Sequence, residues 1–399
     1  MPKKEAMNRE KPIKVLFPTG SFYPAQTGGP DNSVYWITKA LKRKGMEVKI
    51  VTTERGLPEA IPRQKWLDKD FGRIIYTKNW IHYFPLQLIR RAFQELKGVD
   101  VLHLTMIFYP ASFVIAILNQ LFYKKPVYWS IRGDFDPHMM KRSVWKKKPV
   151  VFLLRRFLKS KVVFHSTCDA ETQYAKELLG REIEVVQLTN YMEIPDQLNI
   201  PKKKYLLYLG RIDSKKAIEN LISALDHSKK FRTSGFHLKI VGDYNNLYGQ
   251  KLIKLVDQFH LEKEVEFVGH ASGLEKQQLL AAAYFLIMPS HTENFGIVVA
   301  EALAQGTPAI ASIHTPWKIL EDWKAGFWLD NNVRSLAECI DQVLQFSTND
   351  YAQLQENTRP LVDAEFNIYL NIDKWIAVYL EALGYLNLQP LSSFENVKN

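Results

Sequence analysis

Short hydrophobic runs alternate along the chain with longer stretches in which apolar residues recur every three or four positions. The short runs predict buried strands, and the longer stretches predict amphipathic helices. The predicted strands of the first half are Lys14–Pro18, Glu47–Thr53, Val101–Thr105, Val127–Ser130 and Val162–Ser166. Those of the second half are Tyr205–Gly210, Leu238–Gly242, Val265–Gly269, Phe285–Pro289 and Ala309–Ser312. Strands that alternate with helices predict a parallel, doubly wound sheet, and the pattern occurs twice.

The pattern stops and restarts across residues 191–204, where Pro195, Pro201 and a run of lysines are typical of a linker. A chain of 399 residues is also longer than one typical core requires. We therefore predict an α/β protein with two Rossmann-like domains, residues 1–195 and 196–365, that face each other across a cleft.

One apolar stretch, residues 101–123, has the length of a membrane-spanning helix and contains no Asp, Glu, Lys or Arg. Pro110 divides it, because proline is tolerated in the first turn of a helix and not in its interior. The stretch therefore reads better as a buried strand followed by a helix.

The composition restricts the class of protein. Only two cysteines occur, Cys168 and Cys339, and they lie far apart, which argues against a disulfide framework or a zinc site. No apolar stretch precedes Val15, so we expect no secretory signal and a cytoplasmic protein.

The net charge of +11 is confined to the first half. Residues 1–200 contain 33 Lys and Arg against 19 Asp and Glu, a balance of 33 − 19 = +14. The basic residues cluster with aromatic ones around Trp145 and Phe157, a mixture that suits an anionic membrane surface. No nucleic-acid motif accompanies them, so we expect a peripheral position on the inner face of the cytoplasmic membrane and no nucleic-acid partner. A solvated basic surface is the alternative.

The strongest chemical signal is a polar loop that follows the predicted strand Phe285–Pro289. The loop opens a helix near Gly296, whose first turn presents unpaired N–H groups and a positive dipole end. Glu293 precedes that helix and Glu301 lies about two turns along it. Two carboxylates at this edge of a sheet suit sugar and ribose hydroxyls.

Two further loops carry features that suit phosphate. The strand Tyr205–Gly210 is followed by Arg211 and Lys216, which offer a planar fork and a point charge to phosphate oxygens. After the first strand, Gly28 and Gly29 allow backbone amides to approach a ligand closely.

The stretch from Pro289 through Pro308 closely resembles the E-x7-E segment of the retaining family-4 glycosyltransferases, which have the GT-B fold. The resemblance implies that Glu293 approaches the transferred sugar and that Glu301 binds the ribose of the nucleotide. It implies sugar contacts by the backbone amides of three residues, Asn294, Phe295 and Gly296.

The loop after Gly210 is similar to the same family's G-R-x4-K-G segment, with Ala217 in place of the final glycine. The resemblance therefore implies that Arg211 and Lys216 bind the donor diphosphate. It also implies that the loop with Gly28 and Gly29 lies over the donor phosphates. The layout of relatives also implies that a C-terminal helix, about residues 366–399, packs back on the first domain.

Two residues of the first half are predicted to contact the acceptor or the sugar. Arg132 occupies a loop position at which many relatives carry a histidine, and it could bind phosphate or an acidic sugar or form an ordinary interdomain salt bridge. His103 ends a predicted strand and is either a sugar contact or a satisfied structural histidine.

No metal or other cofactor is expected. The pair Asp134 and Asp136 has the D-x-D spacing of metal–nucleotide sites, but it lies in the first half, away from the donor segments. Those segments supply cations instead.

The resemblance to this family therefore implies a retaining, metal-independent hexosyltransferase. It would move a sugar from a nucleotide diphosphate donor to a saccharide or lipid-linked acceptor in bacterial cell-surface polysaccharide or lipopolysaccharide biosynthesis. A sugar-nucleotide epimerase, a phosphorylase-like enzyme and a non-enzymatic basic membrane-binding protein are the alternatives.

Overall fold

The structure is a computed structural model that describes residues 11–25, 29–81, 83–141, 144–158 and 162–385; of residues 29–31, 138 and 157 it describes the backbone alone. Contacts divide the chain into two compact units. The first unit is Met1–Met192 together with Ile368–Asn399, and the second is Glu193–Asn367. These limits lie within a few residues of the predicted domain boundaries.

The first unit is built on an eight-stranded sheet in the order β3-β4-β2-β1-β5-β6-β7-β8. Every pairing is parallel except that of β3 with β4. The strands are β1 Lys14–Thr19, β2 Glu47–Thr53, β3 Trp66–Lys69, β4 Gly72–Thr77, β5 Val101–Thr105, β6 Val127–Ser130, β7 Val163–Ser166 and β8 Val185–Gln187.

Helices cover both faces of this sheet, as a buried parallel sheet requires. They are α1 Gly29–Arg43, α2 Leu86–Leu96, α3 Pro110–Phe122, α4 Pro137–Lys141, α5 Val144–Leu153, α6 Asp169–Leu179 and, from the end of the chain, α15 Ile368–Ala382. A π-helical turn, Leu154–Leu158, continues α5. Helix α15 packs on α1 and buries Trp375 completely, so this helix is part of the first unit's core.

The second unit has a six-stranded, fully parallel sheet in the order β11-β10-β9-β12-β13-β14. Its strands are β9 Tyr205–Leu209, β10 His237–Val241, β11 Val265–Gly269, β12 Phe285–Met288, β13 Ala309–Ser312 and β14 Gly326–Leu329. Its helices are α7 Ile218–His227, α8 Phe231–Ser234, α9 Leu247–Gln258, α10 Gly273–Ala282, α11 Ile297–Ala304, α12 Ile319–Asp322, α13 Val333–Val343 and α14 Thr348–Phe366.

The prediction of two α/β domains on parallel sheets is confirmed, and each predicted strand is present to within about a residue. Four strands escaped sequence analysis: β3, β4, β8 and β14. Strand β8 has three residues, and β3 lies at a sheet edge with exposed polar positions, so neither produces a clear hydrophobic run.

The apolar stretch at residues 101–123 forms β5 and α3, as predicted. Across the described ranges, no helix is both long enough and apolar enough to cross a bilayer.

Candidate functional site

The second sheet reverses its direction of growth between β9 and β12, which are adjacent although two strands separate them in sequence. In open α/β sheets, ligands bind beyond the carboxyl ends of the strands at such a reversal, because the flanking loops diverge there and leave a crevice. The two segments predicted to bind the donor follow these two strands. The fold therefore brings them to one edge.

The loop after β9 is a tight cationic turn. Asp213 caps a 3-10 turn, Ser214–Lys216, by accepting a hydrogen bond from the Lys215 amide at 3.0 Å. Ala217 then adopts a left-handed conformation, with φ +49°, and starts α7. This conformation explains why the resembling family has glycine there, since an alanine is strained in it by roughly 1–2 kcal/mol.

The loop after β12 is fixed by hydrogen bonds to its neighbours. The His291 amide donates to the Lys215 carbonyl at 2.8 Å, which ties this loop to the one after β9. The buried Asn331, beyond β14, donates to the Pro289 carbonyl at 2.7 Å. A backbone amide and a side-chain amide thus hold the loop in place from two sides.

Lys216 and Glu293 form an ion pair across the strand reversal. Lys216 Nζ donates to Glu293 Oε1, which also accepts from Ser290 Oγ at 3.1 Å. The two charged side chains are only 14% and 15% exposed, so solvent screens the pair weakly. The structure thus places two of the predicted catalytic residues together. Arg211, the third, begins the same loop and is exposed.

The start of α11 is shaped by Gly296, which has φ +77°. A Cβ at this position would lie 2.6 Å from Met288 Sδ, so both the conformation and the space require glycine. The neighbouring Phe295 is buried, and its carbonyl accepts from Trp317 Nε1. Asn294 lies between these residues and Glu293, in the same loop.

Glu301 forms the second ion pair of this edge. Lys276, on α10, donates to Glu301 Oε1 at 2.6 Å, and the side chains are 28% and 16% exposed. Sequence analysis missed both Lys276 and Ser290. Lys276 lies on another helix, 25 residues from its partner and outside any motif, whereas Ser290 was visible within the Pro289–Gly296 segment.

In the first unit, Gly28 lies outside the described residues, so its predicted place near phosphate stays a prediction. Gly29 is the first residue of α1.

His103 belongs to a continuous chain of hydrogen bonds that runs from Tyr379 to the Leu188 carbonyl. His165 Nε2 lies 2.8 Å from the Leu188 carbonyl, which can only accept, so His165 Nε2 carries a proton. Burial lowers the pKa of His165 to about 3, so its other nitrogen is unprotonated at neutral pH and Nδ1 accepts from Ser130 Oγ at 2.8 Å. Ser130 Oγ then accepts from His103 Nε2 at 2.8 Å, and His103 Nδ1 accepts from Tyr379 Oη at 2.6 Å. Both imidazoles are therefore neutral.

This arrangement contradicts the predicted sugar contact of His103. The side chain is 1% exposed, and both ring nitrogens are bonded within the first unit. Burial lowers the pKa of His103 well below its ordinary value, and the neighbouring His165 and Arg132 lower it further. His103 is a satisfied structural histidine, the alternative that its position on an apolar strand left open.

Arg132 follows β6 in the left-handed region, with φ +57°. Its Nη1 donates to Asn190 Oδ1. Among the residues that the structure describes, no carboxylate bonds it: the nearby Glu171 accepts instead from the Gly133 amide and, at 2.6 Å, from the Thr167 amide.

The two aspartates of the D-x-D spacing bond to backbone amides. Asp134 Oδ2 accepts from Phe108 at 3.1 Å and Asp136 Oδ1 from Met139 at 3.2 Å. Burial raises the pKa of Asp134 to about 6. Within the described ranges, no group of three His, Cys, Asp or Glu side chains is placed to hold a metal ion.

Two protein-family models match consecutive parts of the chain. The model described as "Glycosyltransferase Family 4" matches residues 27–188, and "Glycosyl transferases group 1" matches residues 191–360. The chain therefore belongs to the glycosyltransferases with the GT-B fold.

Among sequence relatives, the Escherichia coli protein WcaL, named for colanic acid biosynthesis, is 26% identical over 186 residues, 45% of each chain. A Komagataeibacter xylinus enzyme, GDP-mannose:cellobiosyl-diphosphopolyprenol alpha-mannosyltransferase, is 22% identical over 79% of this chain and 80% of its own length. Several relatives match over less than half of their own length.

Among solved structures, Anabaena HepE in complex with UDP-glucose has a TM-score of 0.70 at 20% identity. The match covers 94% of this chain and all of that one. At this identity the likeness establishes the fold.

The neutral histidine pair predicts an acid-sensitive stability. Burial lowers the pKa of His165 to about 3, whereas both histidines regain a pKa near 6.5 when the chain unfolds. The unfolded chain therefore binds more protons below pH 6.5, and the free energy of unfolding falls as the pH falls. Two histidines contribute a loss of about 3 kcal/mol between pH 6.5 and 5, partly offset by Asp134. Denaturant titrations at several pH values between 6.5 and 5 measure this loss in the free energy of unfolding.

The matched variant is His103→Gln combined with His165→Gln, which removes both titrating groups. Its stability should depend less steeply on pH between 6.5 and 5. An equal slope in the variant and the wild type would contradict the assignment of neutral, buried imidazoles.

Proposed function

We propose that this chain is a retaining, metal-independent sugar transferase. It takes a sugar from a nucleotide diphosphate donor and delivers it to a saccharide or lipid-linked acceptor in bacterial cell-surface polysaccharide or lipopolysaccharide biosynthesis. The observation that carries the proposal is the Lys216–Glu293 pair at the strand reversal of the second sheet. WcaL and the diphosphopolyprenol mannosyltransferase, two relatives, support the polysaccharide and lipid-linked parts.

The cations suit the departing diphosphate. When the bond between sugar and diphosphate breaks, negative charge grows on the leaving oxygen, and fixed positive groups stabilise it most in a poorly screened site. Lys216 is such a group, because Glu293 already holds its ammonium in place. Arg211 is exposed and free to close on a phosphate as a planar fork.

The carboxylates suit the sugar and the ribose. Glu293 bonds through Oε1 to Lys216 and Ser290, and by the family resemblance its carboxylate approaches the hydroxyls of the transferred sugar. Glu301 would accept the ribose hydroxyls while Lys276 keeps its side chain in place. HepE, whose structure contains UDP-glucose, supports a nucleotide sugar as the donor.

Retention follows if the acceptor attacks from the face that the diphosphate leaves. The acceptor oxygen forms the new bond to the anomeric carbon, the bond to the diphosphate oxygen breaks, and the acceptor proton passes to that oxygen. The reaction therefore balances without a protein base or a metal ion. Lys216 and Arg211 stabilise the negative charge of the diphosphate while it departs.

The surface formed by α4, α5 and the following π-helical turn suits an anionic membrane. A groove of about 720 Å³ is lined by apolar side chains with cations among them: Met140, Val144, Val151, Phe152 and Leu178, with Lys141, Lys148, Arg155 and Arg156. Trp145 and Phe152 are 75% and 65% exposed. Aromatic groups beside basic ones bind the interface of acidic bilayers, where a lipid-linked acceptor is found.

The donor-site assignment predicts two different kinetic defects. Lys216→Ala should lower kcat by about 100-fold or more, since Lys216 acts on charge that develops in the transition state. Glu301→Gln should mainly raise the KM for the nucleotide sugar, because ribose binding is equal in the ground and transition states. Initial rates with purified variants measure both.

The controls are Lys251→Ala and Arg334→Ala, two exposed cations of the same unit, which should leave both constants unchanged. Melting temperatures exclude loss of fold. Assays contain EDTA throughout, and a rate restored only by Mn²⁺ would contradict metal independence. Native kcat in the Lys216→Ala variant would refute the assignment, and donor conversion without an acceptor would indicate an epimerase.

The membrane assignment predicts charge-dependent binding to vesicles. The protein should sediment with mixed phosphatidylglycerol and phosphatidylcholine vesicles at low salt, and less at high salt. Reversing two charges, Lys148→Glu with Arg155→Glu, should weaken binding at least about tenfold, whereas Lys251→Glu with Lys254→Glu on the second unit should not. Equal recovery with pure phosphatidylcholine vesicles would overturn it.

A further inference from the structure

Arg132 is a partly exposed cation, and at least three of the five N–H donors of its guanidinium have no partner. Its Nη1 donates to Asn190, but Nε and Nη2 are both buried and have no partner. A buried N–H without an acceptor costs roughly 1–3 kcal/mol, and more when the group is charged. Native proteins rarely leave such groups unpaired, because ordered water, an ion or a ligand usually completes them.

The two open donors form one edge of the guanidinium. The Nε–H and one Nη2–H point the same way, at the spacing with which arginine grips two oxygens of a carboxylate or phosphate. The third nitrogen is fixed by Asn190, whose Oδ1 also lies 3.5 Å from Ser33 Oγ in the first turn of α1. The side chain is therefore anchored on one side and unsatisfied on the other.

The charged groups around Arg132 do not fill this edge. Glu171 is the charged residue with the largest electrostatic effect on Arg132, but its carboxylate oxygens accept hydrogen bonds from Gly133 and Thr167. His103 and His165 are neutral and bonded to other partners. Burial lowers the pKa of the Arg132 guanidinium to about 10, with Glu171 opposing the fall, so the side chain stays charged at neutral pH.

The position in the sheet is that of a ligand site. Arg132 follows β6, one strand from the place between β1 and β5 where the first sheet reverses its direction of growth. Two residues beyond neighbouring strands adopt left-handed conformations without being glycine, Met106 after β5 and Arg132 after β6. Strain of this kind costs about 1–3 kcal/mol and accumulates at functional sites.

We propose that the unsatisfied Nε–Nη2 edge of Arg132 binds an oxyanion of the substrate, a carboxylate or a phosphate. This rests on the proposed sugar transfer and, where the oxyanion belongs to the acceptor, restricts it to acceptors that carry an acidic group. The acidic group belongs either to the acceptor, as a uronate or sugar phosphate, or to the donor's diphosphate.

The test compares wild type with Arg132→Met, which has a side chain of similar length and no charge. Without ligand, Arg132→Met should melt at the same temperature as wild type or higher, because it removes an unsatisfied buried charge. Glucuronate or inorganic phosphate should raise the wild-type melting temperature by about 3 °C at tenfold saturation relative to glucose in chloride of equal ionic strength. The rise should vanish in Arg132→Met and persist in the exposed control Arg90→Gln.

A titration of wild type and Arg132→Met with a nucleoside diphosphate shows whether the oxyanion belongs to the acceptor or to the donor. Affinity unchanged by Arg132→Met assigns the oxyanion to the acceptor, and affinity lowered at least tenfold assigns it to the donor. Equal responses to glucuronate and phosphate in wild type and Arg132→Met, or no response in either together with an unchanged nucleoside diphosphate affinity, would overturn the proposal. Nucleotide binding that depends on Lys216 would survive that outcome, so the two proposals fail separately.

Discussion

The ion pair between Lys216 and Glu293 is the interaction on which the candidate donor site depends. It joins the loops after β9 and β12, the adjacent strands between which the second sheet reverses its direction of growth. A lysine in solution samples many rotamers, whereas here a mostly buried carboxylate fixes its ammonium. The backbone bond from His291 to Lys215 holds the two loops at the separation that the pair requires.

The second pair extends the same principle along α11. Lys276 and Glu301 lie on adjacent helices and hold each other at 2.6 Å, so the edge carries two fixed carboxylates and two fixed ammonium groups. Charges arranged in advance need little reorganisation when a charged substrate enters. The first unit contrasts with this, because its Arg132 has an anchored guanidinium whose other edge is unsatisfied.

The sequence was informative where function depends on residues close together in the chain. Hydrophobic runs predicted both sheets, and local spacing predicted Arg211, Lys216, Glu293 and Glu301 on the loops and helix that follow β9 and β12. Contacts between distant residues could not be predicted in this way. The partner of His103 is Tyr379, 276 positions away, and Lys276 carries no motif. The left-handed backbone of Ala217 was indicated by the family's glycine at this position and not by the alanine itself.

The most direct test of the central claim is calorimetric titration of the full chain with nucleoside diphosphates and the matching monophosphates. If the fixed cations receive a diphosphate, at least one nucleoside diphosphate binds ten times or more tightly than its monophosphate, and added salt reduces the difference. Equal affinities for the two, or no binding of any nucleotide, would contradict the account.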